Sequence, residues 1–155
     1  MAHRFGKLGL PMALAFAIAW PACRANDGAR EAPQASVARG ARLFDGTEAL
    51  AGTLSGHSTP LPVEATRCIQ CHSGPGKSTA VTSDFAPPLG RRQLREARAR
   101  RGGPPIAYEQ ASFCRTLRTG VDPGHIVLPR AMPRFDADDA QCAALWDYLT
   151  QGPDE

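Results

Sequence analysis

The clearest hydrophobic pattern lies near the C-terminus, where Cys142, Leu145, Trp146 and Leu149 fall at i, i+3, i+4 and i+7. This spacing predicts a helix with one apolar face. Asp136 or Asp138 caps it, further acids suit the dipole of its first turn, and Gly152-Pro153 ends it. A second helix is expected from Ser36, which can serve as its cap, with Val37, Gly40, Ala41 and Phe44 repeating the same spacing. A third is expected over Pro105–Thr119, with proline near its first turn, Arg115 and Arg118 in its last turn, and Gly120 just beyond. Between these elements, residues 45–66 are rich in Gly, Ser, Thr and Pro and hold Leu50, Leu54 and Leu61 without helical spacing, so an ordered but irregular connection is expected. Ser73 to Gly90 and residues 121–135 read as Pro-containing loops. No stretch alternates long enough to predict a strand of useful length, and there is no internal repeat. The expected class is mostly α, with a large share of loop.

The N-terminus has a different pattern. Arg4 and Lys7 precede an apolar run from Leu8 to Trp20, followed by small residues. The run is interrupted by Pro11 and is too short to span a bilayer, so residues 1–25 read as a secretory signal peptide, with cleavage after Ala25. The alternative is lipoprotein cleavage before Cys23, although Trp20-Pro21-Ala22-Cys23 is only a loose lipobox. Residues 26–35 then form a flexible leader and residues 36–151 the folded domain. No other apolar run is long enough for a membrane helix, so membrane attachment follows only if Cys23 is lipidated.

Composition and charge sharpen this division. The 155 residues allow one domain, and ten aromatic side chains are few enough to suggest a core completed by something else. The formal charge of +3 comes from 18 basic and 15 acidic residues, but residues 1–25 hold Arg4, Lys7 and Arg24 and no acid. Their removal leaves 15 of each, so the exported chain is neutral, with six arginines clustered in residues 91–101. Four cysteines then remain (Cys68, Cys71, Cys114 and Cys142), and Met132 is the only methionine.

Cys68-Ile69-Gln70-Cys71-His72 is a C-x-x-C-H sequence. One turn of backbone presents two thiols to the two vinyl groups of haem, and the adjacent histidine is held beneath the iron. The covalently held macrocycle would supply the large apolar plate that so aromatic-poor a chain needs. A thioredoxin-type redox pair would want a βαβ context, which is absent. A zinc site would want a second ligand pair, and Cys114 and Cys142 lack that spacing.

With these residues in place, the chain resembles a monohaem class I c-type cytochrome of the bacterial periplasm over about residues 36–151. The resemblance implies that an N-terminal helix marked by Gly40 and Phe44 crosses a C-terminal helix marked by Leu145, Trp146 and Leu149, beside one haem c attached through Cys68 and Cys71. It implies His72 and Met132 as axial ligands, since the family's sixth ligand is a late-loop Met commonly followed by Pro, as in Met132-Pro133. It also implies a Pro-Leu pair whose carbonyl accepts the histidine Nδ1–H while its leucine packs on the haem. Pro88-Leu89 matches this best, with Pro87 and Pro75 as competitors. The implied function is electron transfer between periplasmic redox partners (a dehydrogenase, an oxidase or another cytochrome), not enzymatic turnover. Nucleic acid is excluded as a partner by the exported compartment that residues 1–25 predict. The rival is a haem enzyme or gas-binding module with an open distal site. Two stretches depart from the family pattern: the insertion at 45–66 and the arginine-rich 91–101.

The remaining residues carry weaker signals. Met132 has a plain alternative as a gap-filling core residue. His57 and His125 read as solvated loop residues, each an alternative distal ligand. Cys114 and Cys142 flank the Met132 loop, and a disulfide is expected between them in an exported protein, the alternative being two inert buried thiols. The arginine cluster reads as a solvated face, with docking to an acidic partner as the alternative.

Overall fold

The computed structural model describes residues 27–75 and 86–151, with the side chains of 27–32 left aside. Its elements run α1 (Asp27–Asp45), β1 (Gly52–Thr53), α2 (Val63–Thr66), a 3-10 turn at Cys68–Gln70, α3 (Arg91–Arg95), α4 (Gln110–Thr119), β2 (Arg134–Phe135) and α5 (Asp139–Gln151). The signal reading for 1–25 and the Gly152-Pro153 stop fall outside the described residues. Among the described residues, no helix is long and apolar enough to cross a membrane.

Helices α1 and α5 cross at Gly40. A Cβ placed there would lie 2.0 Å from the Ala144 carbonyl oxygen and 2.6 Å from Tyr148 Cβ, so only a bare backbone fits. One turn on, Phe44 is 2% exposed, and its ring meets that of Tyr148 with centroids 5.5 Å apart. The apolar face expected of α5 is buried throughout: Cys142, Leu145, Trp146 and Leu149 are each at most 5% exposed. Its cap is Asp138, whose carboxylate accepts the Gln141 N–H while the Gln141 side chain accepts the Asp138 N–H.

Helix α1 departs from expectation at its start. It begins at Asp27, so most of the expected flexible leader at 26–35 is helical. Ala29, Arg30, Glu31 and Ala32 are strong helix formers and carry the helix back past Pro33. Ser36 is consequently not a cap. Its hydroxyl donates to an Asp147 carboxylate oxygen at 2.6 Å and ties α1 to α5.

Helix α4 is shorter than expected. It starts at Gln110, where Glu109 and Ser112 form a capping box. Residues 104–109, which open on Pro104 and Pro105, are not helical, and Ile106 bridges to Arg98. Gly120 ends α4 in the left-handed conformation at φ 69°. The expected disulfide is present: Cys114 and Cys142 join α4 to α5 with Cα atoms 5.7 Å apart.

The insertion at 45–66 is ordered around a minimal ladder. Gly52 pairs with Phe135 and Thr53 with Arg134, in antiparallel register, and Leu61 N–H donates to the Gly52 carbonyl. Two residues per strand are too few to show alternation, which is why the sequence pattern does not reveal them. The insertion thus backs the segment that immediately follows Met132-Pro133.

Replacing Gly40 by Ala should destabilise the haem-loaded protein by about 1–3 kcal/mol or more, read as a lower midpoint in chemical denaturation. The Cys114→Ala/Cys142→Ala double variant should lose about 3–4 kcal/mol, as expected for a bridge closing a loop with sequence separation 28.

Candidate functional site

After α2, the chain passes through extended Arg67 (φ −70°, ψ 121°) into the 3-10 turn. The Cys68 carbonyl then accepts both the Cys71 N–H at 3.1 Å and the His72 N–H at 2.8 Å. This doubly used carbonyl folds the five residues into one turn. Cys68, Cys71 and His72 all line one cleft of about 670 Å³, a size typical of cofactor pockets, roughly 300–1,000 Å³. Its walls come from every side of the fold: Phe44 of α1, Leu94 of α3, Phe113 and Leu117 of α4, and Leu145 and Leu149 of α5. Met132 and Leu89 line the same cleft.

His72 is 9% exposed, and its Nδ1 lies 2.7 Å from the Pro87 carbonyl oxygen. A carbonyl only accepts, so Nδ1 carries the proton and the lone pair resides on Nε2. Burial lowers the His72 pKa below its ordinary value, against the opposing pull of the Pro87 carbonyl, and favours this neutral, ligating form. Burial also pushes the Cys68 thiol up to about 12. A thiol held protonated is a poor attacking nucleophile, so Cys68 is not poised for thiol–disulfide exchange. Cys68 and Cys71 are free of any disulfide.

The accepting carbonyl is that of Pro87, not Pro88. The Leu89 N–H donates to the Ser73 carbonyl at 2.8 Å. In a trans peptide the Pro88 carbonyl must point the opposite way from that N–H, away from the 72–73 backbone. Pro88 retains a place in the cleft wall, and Leu89 lines the same cleft and packs against the core.

Met132 is half-buried against the core, and its N–H closes a turn onto the Pro129 carbonyl at 3.1 Å. His57 and His125 are exposed and do not line the cleft. These residues therefore fit haem: an apolar slot that side chains leave open, two thiols and a neutral imidazole on its wall, and a thioether on the loop before β2.

Some contributors carried little sequence signal. Arg100 is not part of a purely solvated face. Its guanidinium stacks 4.8 Å from the Tyr108 ring centroid and donates to the carbonyls of Gln93, Arg98 and Ile106, shaping the wall. Leu94, inside the arginine run, is 2% exposed. Asp122 is equally buried and accepts the Ile126 N–H at 2.8 Å; only its Asp-Pro-Gly turn chemistry hints at this.

The family model described as Cytochrome c matches residues 37–153, well over half of the chain. No curated protein and no solved structure gave a match.

The intact mass of the purified protein should exceed that of its polypeptide by one haem, and the adduct should survive denaturation. The Cys68→Ala/Cys71→Ala variant should lose that covalent adduct entirely.

Proposed function

The chain belongs to the cytochrome c family, and we propose that it is an exported, periplasmic single-haem carrier passing electrons between redox proteins, with His72 and Met132 as axial ligands. Haem c, attached through Cys68 and Cys71, supplies a ferric–ferrous couple that accepts and releases one electron. The observation that carries the ligand reading is the shared cleft. A neutral His72, its Nδ1 proton committed to Pro87, and the Met132 thioether line the same apolar slot. The Pro87 carbonyl orients the ring and raises its basicity, as outer partners of metal-bound histidines do. The thioether favours the ferrous state and raises the potential relative to a second nitrogen ligand. With His72 and Met132 both holding the iron, no position would be left open to a substrate.

Export is supported by the signal-like residues 1–25 and by the Cys114–Cys142 bridge, a bond typical of oxidising compartments. Cleavage before Cys23 would add a lipid anchor. A neutral exported chain gives no long-range steering by net charge, so its partners, whether a dehydrogenase, an oxidase or another cytochrome, would be recognised by local patches. Service as a subunit of a periplasmic dehydrogenase fits the same chemistry.

The ferric protein should show a Met–iron charge-transfer band, and the ferrous protein should bind carbon monoxide slowly. Met132→Ala should abolish the band, open the site to rapid carbon monoxide binding and lower the midpoint potential by on the order of 0.1 V. A parent protein without the band that binds carbon monoxide at once would instead be a haem enzyme or gas-binding module.

A further inference from the structure

Arg134 stands two residues after Met132 and opens β2. Its Nη1 donates to the Met132 carbonyl at 2.7 Å and its Nη2 to the Leu128 carbonyl at 3.3 Å. One planar fork therefore spans the two ends of the 128–132 loop. The guanidinium is seated against α4: a Cβ at Gly120 would lie 1.9 Å from Arg134 Cζ and 2.0 Å from its Nε. Gly120 is in turn bonded to the loop, its carbonyl accepting the Leu128 N–H at 2.8 Å. The backbone of Arg134 is held from the other side by its pairing with Thr53 of β1. The side chain is thus seated on the end of α4, its backbone is held by β1, and it grips the loop that carries the thioether.

We propose that Arg134 is the positioning residue for the axial thioether, a clamp that holds the 128–132 loop closed on the Gly120 end of α4 and thereby sets how readily Met132 leaves the iron. This rests on the reading of Met132 as axial ligand. The carbonyls it grips have no ladder partners in the loop, and a charged donor is roughly twice as strong a hydrogen-bond partner as a neutral one. A positive group at the C-terminal end of α4 is also favoured by the helix dipole. Lysine keeps the charge but not the planar fork, so it restores the clamp only in part.

The test uses the haem-loaded full chain as parent, Arg134→Met, Arg134→Lys and Gly120→Ala. The rate of carbon monoxide binding to the ferrous form reports Met132 dissociation. The Met–iron band and the helical circular dichroism are followed together through a guanidinium chloride titration. Losing two charge-assisted bonds should raise the carbon monoxide rate about tenfold or more in Arg134→Met. The band should then vanish at lower denaturant than helicity does. Arg134→Lys should fall between this variant and the parent, and Gly120→Ala should act in the same direction because its methyl group occupies the guanidinium seat. A folded Arg134→Met with the parental rate, or with band and helicity lost together as in the parent, overturns the proposal. If Arg134→Met fails to retain haem, parental rates in both other variants overturn it equally. A parent that lacks the band and binds carbon monoxide at once removes the ligand reading, and the clamp with it. Altered variants beside a normal parent support both.

Discussion

Where Gly40 meets Ala144, two helix backbones lie closer than any side chain would allow, and the rest of the molecule is arranged around that contact. The crossing sets the angle at which α5 presents Leu145 and Leu149 to the cleft and at which α1 presents Phe44. It also leaves room for the Cys68–His72 turn: Gly74, two residues further on, lies so near that a Cβ would be 3.0 Å from the Phe44 ring and 3.1 Å from the Tyr148 hydroxyl. The turn carrying the two thiols is thus registered against the helix pair by close packing. A shift in the crossing would move the floor of the cleft and the attachment turn together.

The remaining walls have little regular structure to hold them. Loops leave backbone carbonyls without ladder partners, and each buried one needs a donor. In this chain arginine supplies many of them, because one guanidinium offers five N–H groups in a rigid fork. Arg100 gathers three carbonyls, Arg118 binds the Ala137 carbonyl at the entry to α5, and Arg134 binds two. In a chain rich in arginine, these three guanidinium groups are thus engaged by backbone oxygens. Part of its positive charge is turned inward, onto carbonyl oxygens.

What the sequence made legible follows the same division. Periodicity identified the buried face of α5 because four apolar residues on one face have no other use, and the C-x-x-C-H turn was legible because three rare residues coincide. Gly120 was readable as a helix stop because a left-handed residue there favours glycine. The start of α1 was not readable, since Pro33 is a breaker by local rules and only the surrounding Ala, Arg and Glu residues override it. The choice between Pro87 and Pro88 was hidden as well. It depends on the Leu89 N–H reaching the Ser73 carbonyl, a contact between segments with no signature in either. The clamp by Arg134 is of this kind, since nothing in Met-Pro-Arg announces where the guanidinium will point.

The bridge between α4 and α5 has a further meaning for how the protein is made. Of the six single bonds that four cysteines can form, only Cys114–Cys142 leaves Cys68 and Cys71 free together for the vinyl groups. In an oxidising compartment, the competing product is a short-range bond between Cys68 and Cys71, which would stall maturation before the cofactor arrives. Cys142 is wholly buried and Cys114 half-buried, so the bridge is less open to thiol exchange than the exposed Cys71. A reductant that reopens a Cys68–Cys71 bond would then reach the other pair less readily. The fold thereby sorts its own thiols into one set for architecture and one for assembly.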